Sequence, residues 1–285
     1  MKRVLFTGGT GFIGRNVVPI LREEHTVYAP TRQELDLKDE DSFAGFVKDH
    51  QIDVIVHAAN PNPFKNPSED GAESMFEDSM RVFMNVYASR ASVEKVLYLG
   101  SGAEFDKTKE IVRLSEDDGI RSLPVDGYGL AKCIMNEMAR SSGNVYNLRV
   151  FACYGPGDHE TKFITHCIRC VMKNEPITIR QDCRFDYLHV DDLANAIRFA
   201  IEGNLKHHDY NVASGNSFLL SEIAEIVRRQ MGSAVPIVVS APGMNKEYTA
   251  SIDRLLEEID VPFPQIGLEE GIERQVESER KAFHG

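Results

Sequence analysis

The chain has 285 residues, with 32 Lys plus Arg against 44 Asp plus Glu and a formal charge of −12, which gives an isoelectric point near 5.3. That balance argues against nucleic acid or an anionic membrane as the main partner, so any anionic ligand has to meet a local basic pocket. No run of about 18 apolar residues and no charged start followed by an apolar core marks membrane spanning or export, so the expected location is the cytoplasm.

Residues 4–14 read Val-Leu-Phe-Thr-Gly-Gly-Thr-Gly-Phe-Ile-Gly, an apolar strand that breaks into glycines at 8, 11 and 14. A side chain at Gly8 would block a tight turn, one at Gly11 would hold the backbone away from a pyrophosphate, and one at Gly14 would push the following helix off the strand. The helix starting near Phe12 and Ile13 then aims its free N–H groups and positive dipole end at the ligand. The pattern predicts a dinucleotide-binding turn.

Further strands are expected at Thr26–Ala29, Asp53–His57, Lys95–Leu99 and Val145–Val150, short apolar runs of the kind buried on both faces of a parallel sheet. Helical spacing marks Phe12–Glu23, Asp41–His50, Ala72–Ser92 and Tyr128–Ser141. The alternation predicts the α/β class, a Rossmann doubly wound parallel sheet with helices on both faces. After Phe151 the pattern loosens and proline becomes more frequent. Residues 1–153, rejoined by 183–212, are expected to form the nucleotide-binding domain, with 154–182 and 213–285 building a smaller C-terminal substrate-binding lobe.

The second strand runs Val27-Tyr28-Ala29-Pro30-Thr31-Arg32. An acidic residue at its end would bind the ribose 2′-hydroxyl of NAD and repel a 2′-phosphate. Arg32 is placed instead to pair with that phosphate, so NADP is the expected cofactor, with NAD possible.

Five cysteines scattered through the chain suggest no disulfide framework. Cys167 and Cys170, with His166 alongside, form the only C-x-x-C, yet Cys167 falls on the apolar face set by Phe163, Ile164, Ile168 and Val171, and no second ligand pair stands at zinc-like spacing. No metal is expected. His207 and His208 sit in a polar connection and are expected to be solvated.

Tyr128-Gly-Leu-Ala-Lys132 places a phenol and an ammonium on one helical face, four residues apart. The cation favours phenolate over phenol, which suits Tyr128 to general acid or base work.

With these motifs assembled, the chain resembles the extended short-chain dehydrogenase/reductases that act on nucleotide-diphosphate sugars, including GDP-fucose synthase-like and 4-keto-sugar reductase members. The likeness rests on T-G-G-T-G-F-I-G, the His57-Ala58-Ala59 strand end, Y-x-x-x-K, L-R-V-F-A-C-Y-G-P at 148–156 and F-D-Y-L-H-V-D-D-L-A at 185–194, in the family's order. It implies a catalytic set of Ser101, Tyr128 and Lys132: Ser101 hydrogen-bonds the substrate carbonyl, Tyr128 donates the proton and Lys132 also holds the nicotinamide ribose. It further implies that Asp36 and Leu37 meet the adenine, and that Ala58, Ala59 and Asn60 line the diphosphate and ribose. Ser79 and Asn85 fall where the family often has asparagines supporting the site. Pairing of two copies through the helices 72–92 and 128–141 is implied as well.

The departures matter equally. Sugar 4,6-dehydratases carry an Asp-Glu pair where this chain has Gly102 and Ala103, and GDP-fucose synthases place a cysteine at Ala103 for epimerisation. Neither residue here moves a proton, and both are expected only to border the substrate. The asparagine that many members use on the substrate diphosphate is replaced by Ala152, leaving Arg184 as the expected pyrophosphate ligand. The resulting expectation is an NADPH-dependent reductase of a nucleotide-diphosphate 4-keto sugar for surface polysaccharide. A C4 epimerase with tightly held NAD and a non-catalytic sensor or scaffold on this fold are the alternatives. Were a base for C3 or C5 present, His159 or Glu104 would be the first to test.

Overall fold

The computed structural model describes residues 1–60, 71–119 and 121–284. Six parallel strands form the central sheet: β1 (Arg3–Thr7), β2 (Thr26–Tyr28), β3 (Val54–His57), β4 (Lys95–Ser101), β5 (Val145–Val150) and β6 (Asp209–Val212), in the spatial order β6-β5-β4-β3-β1-β2. The order reverses beside β1, which is where an open α/β sheet leaves a ligand crevice at its carboxyl ends.

Side-chain alternation along these strands divides the core in two. Val4, Phe6, Val54, Val56, Leu97 and Leu99 face one side, against α1 (Phe12–Leu21) and a later helix at residues 190–202. Leu5, Ile55, Val96 and Tyr98 face the other, against α2 (Glu40–Asp49), α3 (Gly71–Ala88) and α4 (Gly127–Arg140). Asp39 caps α2 by accepting from Ser42 N, and Asp126 caps α4 by accepting from Gly129 N. β4 runs two residues past the expected Leu99, which carries Ser101 to the very end of the strand. The helix expected over 72–92 ends at Ala88 and tightens into a 3₁₀ turn, Ser89–Ser92.

The lobe packs α5 (Phe163–Met172), α7 (Leu220–Gln230) and α8 (Leu268–His284) around Ile164, Ile168, Ile223, Val227 and Ile272, while α6 (Val190–Glu202) belongs to the central sheet. Its four-stranded sheet joins Phe218–Leu219, Arg184–Phe185, Tyr248–Ala250 and Ile111–Leu114 in that order. The two units therefore trade segments more finely than the change in composition suggests. Ile111–Leu114 comes from the first 153 residues yet pairs with Tyr248–Ala250, and Arg184–Phe185 joins the same lobe sheet. Leu255 and Ile259 return to the core of the central sheet. Strands this short carry too little pattern to announce partners more than a hundred residues away.

Cys167 and Cys170 are both buried under α5, Cys167 within the apolar cluster as its spacing predicted. His208 is not free in solvent: its Nδ1 lies 2.8 Å from Val145 O and its ring stacks on Tyr146 with centroids 5.1 Å apart.

Candidate active site

The glycine turn between β1 and α1 is closed against its own backbone on one side and open on the other. Gly8 has φ of +78°, and a Cβ on it would stand 2.8 Å from Ala59 N and 3.0 Å from Ala58 C. A Cβ on Gly14 would lie 2.5 Å from both Gly8 O and Gly9 Cα. Gly11 differs, since its Cβ would meet only Gly8 O at 3.3 Å, leaving its outer side free for a ligand's approach. α1 starts at Phe12 with no side-chain cap and no acidic residue in its first turn. The N–H groups of Phe12, Ile13 and Gly14 therefore have no helical acceptor and no competing carboxylate, and this is the cradle a dinucleotide pyrophosphate fits.

Around that cradle, Ala59 N donates to Thr7 Oγ1 at 3.3 Å, and Thr7 Oγ1 lies 2.8 Å from His57 Nδ1. Burial, reinforced by the charge of Lys132, drives His57 down to about 3 and keeps it neutral. Asn60 is exposed beside Ala59, at the end of β3. Arg32 is exposed and has no ion pair among the described residues. The neighbouring Glu34 is engaged with Thr31, accepting from its N at 2.7 Å and its Oγ1 at 2.9 Å, so it does not answer the charge of Arg32. Asp36 accepts from Lys38 N at 2.9 Å, and Asn85 donates to the carbonyl of Leu37 at 2.9 Å. Asn85 thus steadies the Asp36–Leu37 segment rather than the catalytic centre. Ser79 is buried and its hydroxyl has no hydrogen-bond partner among the described residues.

Ser101, Tyr128 and Lys132 converge where the end of β4 meets the first turns of α4. Lys132 Nζ donates to Leu99 O at 2.7 Å and lies 5.8 Å from the centre of the Tyr128 ring. Burial pulls this ammonium down to about 8, with the charge of Glu104 resisting. Burial raises the Tyr128 phenol, and a hydrogen bond with Ser101 works the other way. Ser101 caps the 3₁₀ turn Gly102–Phe105: its Oγ accepts from Ala103 N at 3.2 Å, and its N–H donates to Glu104 Oε1 at 3.0 Å.

Glu104 is no free base. Its carboxylate is buried, 2.7 Å from Arg149 Nε, and also accepts from Asn147. Arg149, equally buried, continues to Asp209 at 3.1 Å and Asn211 at 2.9 Å. His159 is engaged by Thr161, with Nδ1 and Oγ1 2.9 Å apart.

Arg184 is not brought to this centre. It is exposed and paired in register with Leu219, whereas the next residue, Phe185, packs its ring 5.2 Å from Tyr248. Neighbours on a strand point to opposite faces, so Phe185 rather than Arg184 faces the catalytic side. Arg184 makes no ion pair among the described residues; the nearby Asp182 binds Ser221, and Asp186 binds Ser214 and Gly215. Strand register, which depends on distant partners, decides which of two adjacent side chains points inward. No local motif around Tyr248 announces that its hydroxyl lies beside Gly102.

Away from the site, Glu24, His25 and Glu202 bring their ligand atoms within 4.8 Å of one another. His25 Nδ1 accepts from Lys2 N at 3.4 Å, which leaves the proton on Nε2 facing Glu202 rather than a lone pair for a metal.

Residues 4–213 match the NAD dependent epimerase/dehydratase family. The chain belongs to that family. Among similar members, dTDP-4-dehydro-6-deoxyglucose reductase of Escherichia coli is 25% identical over 97% of each chain. UDP-glucose 4-epimerase of Azospirillum brasilense is 24% identical over 90% of this chain and 86% of that one. In solved structures the fold recurs in a GDP-mannoheptose C4 reductase from Campylobacter jejuni with NADP bound, at TM-score 0.82 and 18% identity over 98% of each chain. Relatives of this chain therefore include both 4-keto-sugar reductases and 4-epimerases, as family members built on one nucleotide-binding fold. No described helix is long and apolar enough to cross a membrane.

Proposed function

We propose that the chain reduces the C4 ketone of a nucleotide-diphosphate 4-keto sugar, using NADPH, in the cytoplasm and as a homodimer paired through α3 and α4. The observation that carries this reading is an assembled Ser101–Tyr128–Lys132 set followed by residues that offer no free carboxylate or thiol. Gly102 and Ala103 have no ionisable group, and Glu104 is bound to Arg149.

The nicotinamide, when bound, supplies the hydride. Phe12, Ile13 and Gly14 offer their N–H groups to its pyrophosphate, Arg32 stands free for a 2′-phosphate, and Lys132 is placed for the ribose. The Ser101 hydroxyl holds the ketone oxygen. Tyr128 gives that oxygen its proton as the carbon receives the hydride, and the cation of Lys132 stabilises the phenolate left behind. Inversion at C3 or C5 would need a group that removes a carbon-bound proton and another that returns one to the opposite face. Gly102 and Ala103 supply neither, and Glu104 is held by Arg149, so those centres are retained.

The same three residues serve a C4 epimerase, and relatives of that kind are among those found. The two readings separate on reductant. With dTDP- and GDP-linked 4-keto-6-deoxyhexoses, the reductase consumes NADPH stoichiometrically and, in deuterated water, places no deuterium at C3 or C5. Enzyme-dependent deuterium at either carbon, or turnover of a 4-hydroxy sugar without added reductant, overturns it.

A further inference from the structure

Beside Ser101 the space that a side chain at position 102 would occupy belongs to Tyr248. A Cβ on Gly102 would lie 2.4 Å from Tyr248 Oη and 2.8 Å from Phe151 Cε1. Tyr248 opens the strand Tyr248–Ala250, is buried, and is clamped between Phe151 and Phe185 with ring centroids 5.0 and 5.2 Å away. The Lys107 ammonium sits over the same ring, 5.4 Å from its centre. The ring therefore has little freedom to turn, and its hydroxyl is fixed against Gly102, the residue that follows Ser101.

The Ser101 hydroxyl bears on both phenols, Tyr128 and Tyr248, opposing in each the rise that burial causes. A serine hydroxyl has one proton to give and two lone pairs to fill. One lone pair already accepts from Ala103 N. If Ser101 gave its proton to Tyr248, none would remain for a substrate oxygen. Burial raises the Tyr248 phenol, with the charge of Tyr128 adding to the rise, so it stays a neutral donor at working pH.

We propose that Tyr248 is a positioning residue that donates its O–H to the second lone pair of Ser101, turning the serine proton away from Tyr248, toward Tyr128 in the free protein and toward the substrate oxygen once that is bound. Tyr248 itself transfers no proton. It fills both acceptor sites of Ser101, so the serine can act only as a donor at the moment Tyr128 releases its proton. The catalytic consequence rests on the reductase reading above, whereas the hydroxyl arrangement does not. Gly102 is then required for a reason separate from its chemistry: any side chain there would displace the tyrosine.

The test is a double-mutant cycle read in two ways. In full-length protein labelled with 3-fluorotyrosine and loaded with NADP, the ¹⁹F signal of Tyr128, assigned by its loss in Tyr128→Phe, is titrated with pH. Tyr248→Phe is expected to raise the Tyr128 midpoint by roughly half a pH unit when Ser101 is present, because the donor chain that supports its phenolate is shortened. In Ser101→Ala the same change is expected to leave the midpoint in place. With dTDP-4-dehydro-6-deoxyglucose and its GDP-linked counterpart as probes, Tyr248→Phe is expected to lower kcat about tenfold on the Ser101 background, with the KM for NADPH unchanged, and to cost nothing further in Ser101→Ala. An unmoved Tyr128 midpoint with Ser101 present, or equal effects on both backgrounds, overturns the proposal. Absence of turnover in the wild type overturns the reductase reading alone, since the fluorine titration still decides the role of Tyr248.

Discussion

Glu104 and Arg149 form a buried ion pair, Oε2 to Nε at 2.7 Å with each side chain under 5% exposed, and Glu104 at the same time accepts the backbone N–H of Ser101. A charged pair inside the protein thus holds the main chain of Ser101. Removing one partner leaves an uncompensated buried charge, so Arg149→Met should cost about 3–5 kcal/mol in chemical denaturation. The double variant Glu104→Leu with Arg149→Met should be more stable than either single one, because Asp209 keeps Arg254 and Arg140 as partners. A double variant as weak as the sum of the singles would show that the pair is not the origin of the loss.

Tyr128→Phe removes only the phenolic oxygen from a residue that makes no other polar contact needed for folding. Thermal stability and NADPH binding should survive, while turnover of a 4-keto sugar falls by about 10²–10⁴. Near-normal rates would place the proton donor elsewhere.

Lys132 gives a stability signature that requires no substrate. Burial lowers its pKa from 10.5 to about 8, so between those values the unfolded chain holds a proton that the folded chain has released. Folding is then favoured increasingly as pH rises across the window. Lys132→Met removes this term. Its stability relative to wild type should decline from pH 8 to pH 10.5, by about 3 kcal/mol at the limit. A difference that stays flat in urea titrations over that range would mean that the ammonium is not desolvated.

Arg32 is available for a phosphate because Glu34 is tied to Thr31. Arg32→Ala should lower the NADPH-to-NADH ratio of kcat/KM about tenfold, the loss of roughly one charge-assisted hydrogen bond. Glu34→Gln should leave the ratio nearly unchanged. If Arg32→Ala leaves it unchanged too, the 2′-phosphate is held by another group.

What could be read from the sequence was whatever short range encodes. The turn at Gly8, Gly11 and Gly14 is a local steric requirement, and Tyr128 and Lys132 are one helical turn apart, so both survive unaltered in the fold. The buried contacts around them are another matter. Glu104 meets Arg149 across 45 residues, and nothing near Glu104 marks it as a core carboxylate rather than a candidate base. Tyr248 comes to lie beside Gly102 through a strand that pairs with Arg184–Phe185 in the lobe sheet. Register is equally hidden: the motif marks the strand, but which of Arg184 and Phe185 turns toward Tyr248 is set by its pairing.

The lobe sheet has a consequence for the order in which the molecule is assembled. Ile111–Leu114 has its strand partner in Tyr248–Ala250, so on the ribosome it emerges long before the segment that pairs with it. At about 5–20 residues per second the interval is roughly ten seconds. During that time a strand edge carrying Ile111 and Leu114, both buried in the finished protein, stands uncovered and open to pairing with another chain. A ribosome-bound chain stopped short of Tyr248 should therefore bind holdase chaperones through residues 111–114, and lose that binding once Tyr248–Ala250 has cleared the exit tunnel.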